Sequence, residues 1–346
     1  MSAVRRGGAD RIRARFDDCA RRRLAVLWRV RADDGRLERT LGEPLQPFFL
    51  AGGSKLVCAA VVAQLRDDAL LDWDRPIAGY LPELDLRGLV TDRRGDHPDR
   101  LTARALLGHT SGLADHFLDR RPDGPSTAQR LVIADRAWSL DDALRWCREI
   151  QVPNRRRPHH SNTGYQLLAA AVEAVTGTDY ATAVRTRLAE PLGLTGTYVF
   201  TESDLSRFGG IAPVRRDGRV AMNPIAAASM GPYESTVTTL DDAAVFVEAF
   251  FGGRLFDRRI LEDMQRNERR VPGCGRYGAG VRVLRAGGTT LYGAIGVTGS
   301  VLVRSPELGL TVVGTCNEVS EDHRRHGPRD LLAASVRAAR ASRAAR

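Results

Sequence analysis

Lysine is almost missing from this chain. Of the 52 basic residues among 346, 51 are arginine and one, Lys55, is lysine. A coding bias explains the arginines. Either chance left one lysine behind, or position 55 needs what guanidinium lacks: a side chain that can lose its proton when desolvated. Long apolar runs are missing too. The longest, residues 56–63, is far short of the roughly 20 residues of a membrane-crossing helix, so no such span is expected. Arg5, Arg6, Arg11, Arg13 and Arg15 precede no apolar stretch, which does not resemble a secretory leader; a cytoplasmic location is the expectation. Cysteine spacing is equally uninformative for cross-links. Cys19, Cys58, Cys147, Cys274 and Cys316 are odd in number, form no C-x-x-C pair and lie at no zinc spacing to histidine. Reduced thiols, no metal and no cofactor are expected.

The net charge of +10 raises the question of nucleic acid. The arginines are scattered among acids, as in Asp92-Arg93-Arg94-Gly95-Asp96, and no aromatic–basic module is present, so none is expected. Gly273-Cys274-Gly275-Arg276-Tyr277-Gly278 fits a dinucleotide-binding pattern, yet a strand rather than a helix comes after it, which removes the match.

What the chain does have is apolar content, 43% hydrophobic against 27% charged, enough for a substantial core. Periodicity predicts a charged helix over 11–23 and a hairpin of strands 24–31 and 36–41 around an Asp-Gly turn. Helices are predicted over 54–66, with Leu56, Ala59, Ala60 and Ala63 on one face, and over 101–107, 140–149, 164–176 (capped by Gly177), 179–188 and 240–251. Strands are predicted over 277–285, 289–292, 300–304 and 310–315, then a last helix over 331–346. The expected fold is α+β: residues 1–52 and 206–346 form an antiparallel sheet flanked by terminal helices. Residues 53–205 form an inserted, mostly helical domain, and a ligand cleft lies between the two.

Five segments carry a family resemblance. Phe48-Phe49-Leu50-Ala51-Gly52-Gly53-Ser54-Lys55 resembles the S-x-x-K segment of the serine β-lactamase and penicillin-binding-protein superfamily, and residues 70–84 resemble the stretch that comes after it there. Leu106 to Leu113 resembles L-L-x-H-T-S-G-L, residues 160–180 resemble the Y-S-N-x-G-Y helix, and Gly293 to Ser300 resembles the H-T-G or K-T-G strand. The order matches, and the branch it is most similar to contains class C β-lactamases, esterases and D-aminopeptidases. The resemblance implies a β-lactamase/transpeptidase-like fold.

Three of its side chains are replaced. Gly52 stands where the resemblance places the serine, His160 where it places the tyrosine, and Ala294 where it places the His or Lys; Lys55, Asn162 and Gly296 are kept. The resemblance also implies an oxyanion hole from the backbone N–H groups of Gly52 and Val297, which a side-chain change leaves in place. Lys55 is then the expected general base and His160 either a second acid–base group or a polar filler, with Asn162 and Gly296 at the substrate. His109 is expected to brace a turn, His159 to lie at the surface, and Ser54 and Ser111 to be structural. Glu234 is expected at the cleft edge and Arg157, with Arg155 and Arg156, at its rim, where they suit an anionic group.

The expected function is thus a repurposed enzyme of this fold doing non-covalent acid–base chemistry (cyclisation, elimination, isomerisation or acyl-type addition) on a small, anionic metabolite of specialised metabolism. Two alternatives stay open: an inactive relative that only binds, and a serine hydrolase or acyltransferase whose nucleophile was replaced by Gly52.

Overall fold

The computed structural model describes residues 26–131, 134–150, 152, 157–266, 268–319 and 328–344, together with Ala14 and Asp17. The helix expected over 11–23 therefore lies outside the described residues except at those two positions, as do Arg155 and Arg156.

Eight antiparallel strands form the main sheet. They are β1 (Leu27–Ala32), β2 (Glu38–Leu41), β3 (Arg269–Val271), β4 (Gly275–Tyr277), β5 (Arg282–Ala286), β6 (Thr289–Ile295), β7 (Val301–Ser305) and β8 (Leu310–Thr315). Their order is β3-β4-β5-β6-β7-β8-β1-β2. Leu27 pairs with Thr315 and Ala32 with Leu310, so the first described strand closes on the last and joins the two ends of the chain. While β2 to β5 at the two sides of the sheet are more polar and partly or largely exposed, the central strands β7 and β8 are covered on both faces, hence their near-continuous apolar character. Alternation divides them: Trp28, Val30, Val301, Val303 and Val312 pack with Leu331 and Val336 of the terminal helix. Leu302, Val313 and Ala294 join the larger core on the other side. The Trp28 indole crosses the first layer to donate to Ser335 Oγ at 3.1 Å.

Five helices build the core and the site: α1 (Ser54–Asp67), α2 (Leu140–Glu149), α3 (Asn162–Thr176), α4 (Leu240–Phe251) and α5 (Pro328–Ala344). Local chemistry accounts for their ends. Ser139 and Asp142 form a reciprocal capping box on α2, Ser161 caps α3, and Gly177 ends α3 in the left-handed conformation that its missing side chain permits.

Three expectations are corrected. Helix α1 is buried on every side from Ser54 to Ala63, not along one stripe, because it runs through the middle of the larger core. The strand expected over 277–285 is two strands. A side chain at Gly278 would meet the Met264 carbonyl at 2.0 Å, and Gly280, at φ +77°, donates to the Leu107 carbonyl. The helix expected over 179–188 is α-helical only over Tyr180–Val184 and widens into a π turn over Arg185–Ala189.

Candidate functional site

Helix α1 begins after a single 3-10 turn, Ala51–Gly53. Ala51 holds φ at +46°, a conformation non-glycine residues adopt only under constraint, and this sharp entry presents residue 52 at the helix start. Lys55, one turn on, points into the protein and is only 3% exposed. Its Nζ donates to the Tyr233 carbonyl at 3.3 Å and lies 5.6 and 5.5 Å from the ring centres of Tyr165 and Tyr233. It forms no ion pair with any described carboxylate. Burial shifts it toward the neutral amine, a shift that the charges of Glu234 and Asp115 resist.

Glu234 comes directly after Tyr233 and is 7% exposed. The expectation of a residue at the cleft edge is corrected: it is inside. Burial pushes its pKa up to about 7 despite the pull of Lys55, and Asp115 adds to the rise. The environments of Lys55 and Glu234 therefore lower the proton affinity of the amine and raise that of the carboxyl.

Asp115 is the residue sequence reasoning missed. Its Oδ1 accepts from the amides of Phe117 (2.9 Å) and Leu118 (3.2 Å), and its Oδ2 meets His160 Nδ1 at 3.0 Å and Asn162 Nδ2 at 3.2 Å. Burial opposes its charge, but the His160 hydrogen bond, the nearby histidines and the Phe117 amide together hold its pKa at about 2. A single carboxylate thus orients both His160 and Asn162. With Nδ1–H donated to Asp115, the neutral His160 ring keeps its lone pair on Nε2, and burial favours that neutral ring. The Asn162 carbonyl oxygen is buried without a partner. The only signal for Asp115 was a carboxylate in an otherwise apolar stretch just past Thr110-Ser111-Gly112.

The bracing role expected for His109 is what its contacts describe. It is buried at φ +57°, its Nδ1 accepts from the Ser161 amide at 3.2 Å, and its ring lies 4.6 Å from that of His160. His159, expected at the surface, is half-buried and paired with Asp119 at 2.8 Å. Ser54 Oγ accepts from the Thr236 amide and Ser111 Oγ from the Leu113 amide. Arg157 is exposed.

Gly52 and the strand end are in close contact. A Cβ at position 52 would lie 3.1 Å from Gly296 Cα, and a Cβ at 296 would lie 2.9 Å from the Gly52 nitrogen. The two glycines let the helix start and the end of β6 approach backbone to backbone. Ser300 locks the turn: its hydroxyl bonds the Leu50 carbonyl while its own carbonyl accepts from Gly296. Val297, next along, is 43% exposed, and Ala294 is buried in the core. The structure thus brings Gly52, Lys55, His160, Asn162, Glu234 and Gly296 to one region by packing α1 and α3 against the Tyr233 segment and β6.

An open antiparallel sheet that joins the two ends of the chain, a buried helix entered through a strained turn, and a lysine one turn in define the β-lactamase/transpeptidase-like class of α+β proteins. The chain belongs to the β-lactamase family, whose model matches residues 43–335. It is 32% identical to esterase EstB of Burkholderia gladioli over 240 residues, 61% of this chain and 58% of that protein. It is 30% identical to penicillin-binding protein 4* of Bacillus subtilis (strain 168) over 171 residues, 48% and 34% of the two. These matches span less than two thirds of either relative. Across nearly the full chain (97%, and 99% of the other), the fold matches D-amino acid amidase from Ochrobactrum anthropi SV3, solved with L-phenylalanine, with a TM-score of 0.82 at 22% identity. No helix among the described residues is long and apolar enough to cross a membrane.

Proposed function

We propose that the chain catalyses acid–base chemistry at the carbonyl of a small acyl compound, such as an ester, an amide or a related group, without forming a covalent acyl-enzyme. The observation that carries this reading is the burial of Lys55. A buried ammonium without a carboxylate partner is expensive to keep, and the natural relief is to give up its proton. Neutral Lys55 takes a proton from water or from a hydroxyl or amine of the substrate, which then attacks the carbonyl carbon. The Gly52 amide, in the turn that opens α1, stabilises the oxygen as it becomes negative. Protonated Glu234, or the ammonium just formed, returns a proton to the leaving group. Gly52 offers no hydroxyl to be acylated, and a relative that acts as an esterase supports a carbonyl substrate.

The test combines p-nitrophenyl butyrate turnover with intact-protein mass measurement. The expected result is turnover without a burst and without added mass, lost in Lys55→Met while binding of butyrate is retained. A stoichiometric butyryl adduct overturns the non-covalent step. Binding without turnover in the unaltered protein supports the reading of a protein that has kept only its cleft.

A further inference from the structure

A cavity lies on the far side of Tyr233 from Lys55. The Tyr233 carbonyl receives Lys55, while the Tyr233 hydroxyl meets His116 Nε2 at 3.2 Å. The His116 ring in turn lies 6.3 Å from Trp138 and 6.4 Å from Trp146. Beyond the tryptophans opens a cavity of about 480 Å³ whose walls include Arg121, Thr127, Arg130, Trp138 and Trp146.

Arg121 is the unusual member. Its guanidinium carbon sits 3.7 Å from the Trp146 ring centre, and its Nη2 donates to Thr127 Oγ1 at 2.7 Å. The Thr127 hydroxyl is itself fixed by donating to the His116 carbonyl at 2.6 Å. Arg121 Nε is buried with no acceptor. Of the acids whose charge reaches Arg121, Asp123 pairs with Arg130 at 2.7 Å, and Glu149, at the exposed end of α2, forms no ion pair with Arg121; Asp142, in the cavity wall, pairs with Arg145 and closes the α2 cap. Among the described residues Arg121 therefore has no ion-pair partner, and burial works against its charge. A planar guanidinium stacked on an indole, with an unmet N–H, is built for the planar two-oxygen edge of a carboxylate. The rest of the lining is Leu131, Ala134 and Ala137, with Arg136 and Asp142 beside them; Asp142 is engaged by Arg145 and by the α2 cap, so the wall offers apolar surface next to basic groups, which suits an anion with an apolar body.

We propose that this cavity binds a small organic acid, its carboxylate paired with Arg121 and its flat apolar body against Trp138 and Trp146. The site is independent of the chemistry assigned to Lys55.

The experiment is calorimetric titration of the full chain with 1-naphthoate, with 1-naphthamide as the uncharged counterpart and inorganic phosphate as the bare anion. Saturable naphthoate binding is expected, with naphthamide and phosphate each at least about tenfold weaker, the scale of one charge-assisted pair. Arg121→Met should weaken naphthoate about tenfold, and Lys55→Met should leave it unchanged. Arg121→Lys keeps the charge but loses the fork and the stack, so it should weaken naphthoate severalfold; it serves where the methionine variant does not fold. No binding, equal binding of the amide or of phosphate, wild-type affinity in both Arg121 variants, or loss of binding in Lys55→Met each overturns the proposal.

Discussion

Replacing Glu234 with glutamine tests the electrostatics of the buried pair directly. In the unfolded chain this carboxyl titrates at its ordinary 4.5, and in the folded protein burial moves it to about 7. The folded state therefore holds the proton more tightly over that interval. Its stabilising effect is complete below pH 4.5 and is lost as pH rises through about 7. A rise of this size corresponds to about 3 kcal/mol, at roughly 1.4 kcal/mol per unit. Glutamine keeps the shape and the uncharged state at every pH. The unfolding free energy of Glu234→Gln minus that of the unaltered protein should thus grow from about 1 kcal/mol at pH 5 to about 3 kcal/mol at pH 8. Urea unfolding at pH 5, 6, 7 and 8 measures it. The subtraction is needed because His160 and His109, both held toward their neutral forms by burial, drive stability the other way: it rises as pH rises toward their ordinary range. Lys55, lowered from 10.5, adds a further rise at alkaline pH that Lys55→Met removes. A difference that stays flat from pH 5 to 8 would refute the placement of Glu234 in a dry site beside Lys55.

The geometry sets two further outcomes. Gly52→Ser puts a Cβ 3.1 Å from Gly296 Cα, so thermal unfolding should show a loss on the order of 1 kcal/mol. With Ala294 still in the core, a reactive penicillin should leave no adduct on that variant; labelling would mark the chain as a merely silenced serine hydrolase. Asp115→Asn should destabilise by about 3 kcal/mol at pH 7, since the two amides keep a neutral acceptor while an NH2 group replaces the charged oxygen that meets His160 and Asn162. That difference should fade as pH falls from 3.8 through about 2, where the wild-type carboxylate is protonated in turn.

Local signals made much of the frame legible from the chain itself. Thr239 and Asp242 at the start of α4, Ser139 and Asp142 on α2, and Gly177 at the end of α3 fix helix ends by bonds within a few residues, and those ends fall where the sequence placed them. Short β-branched runs bounded by turn residues placed β6 to β8 to within a few residues, and the scarcity of lysine singled out Lys55. Contacts between distant segments were not legible. Asp115 becomes a hub only when α3 brings His160 and Asn162 against it, 45 and 47 positions away. Glu234 acquires its shifted affinity from burial beside α1, and Gly278 needs to be glycine only because Met264 lies against it. The sequence by itself determined the capped helices and the β-branched strands, because those choices depend on neighbours within a few residues. Tertiary structure alone decided which titratable groups share a dry pocket, because desolvation and pairing act through space between residues the chain order keeps far apart.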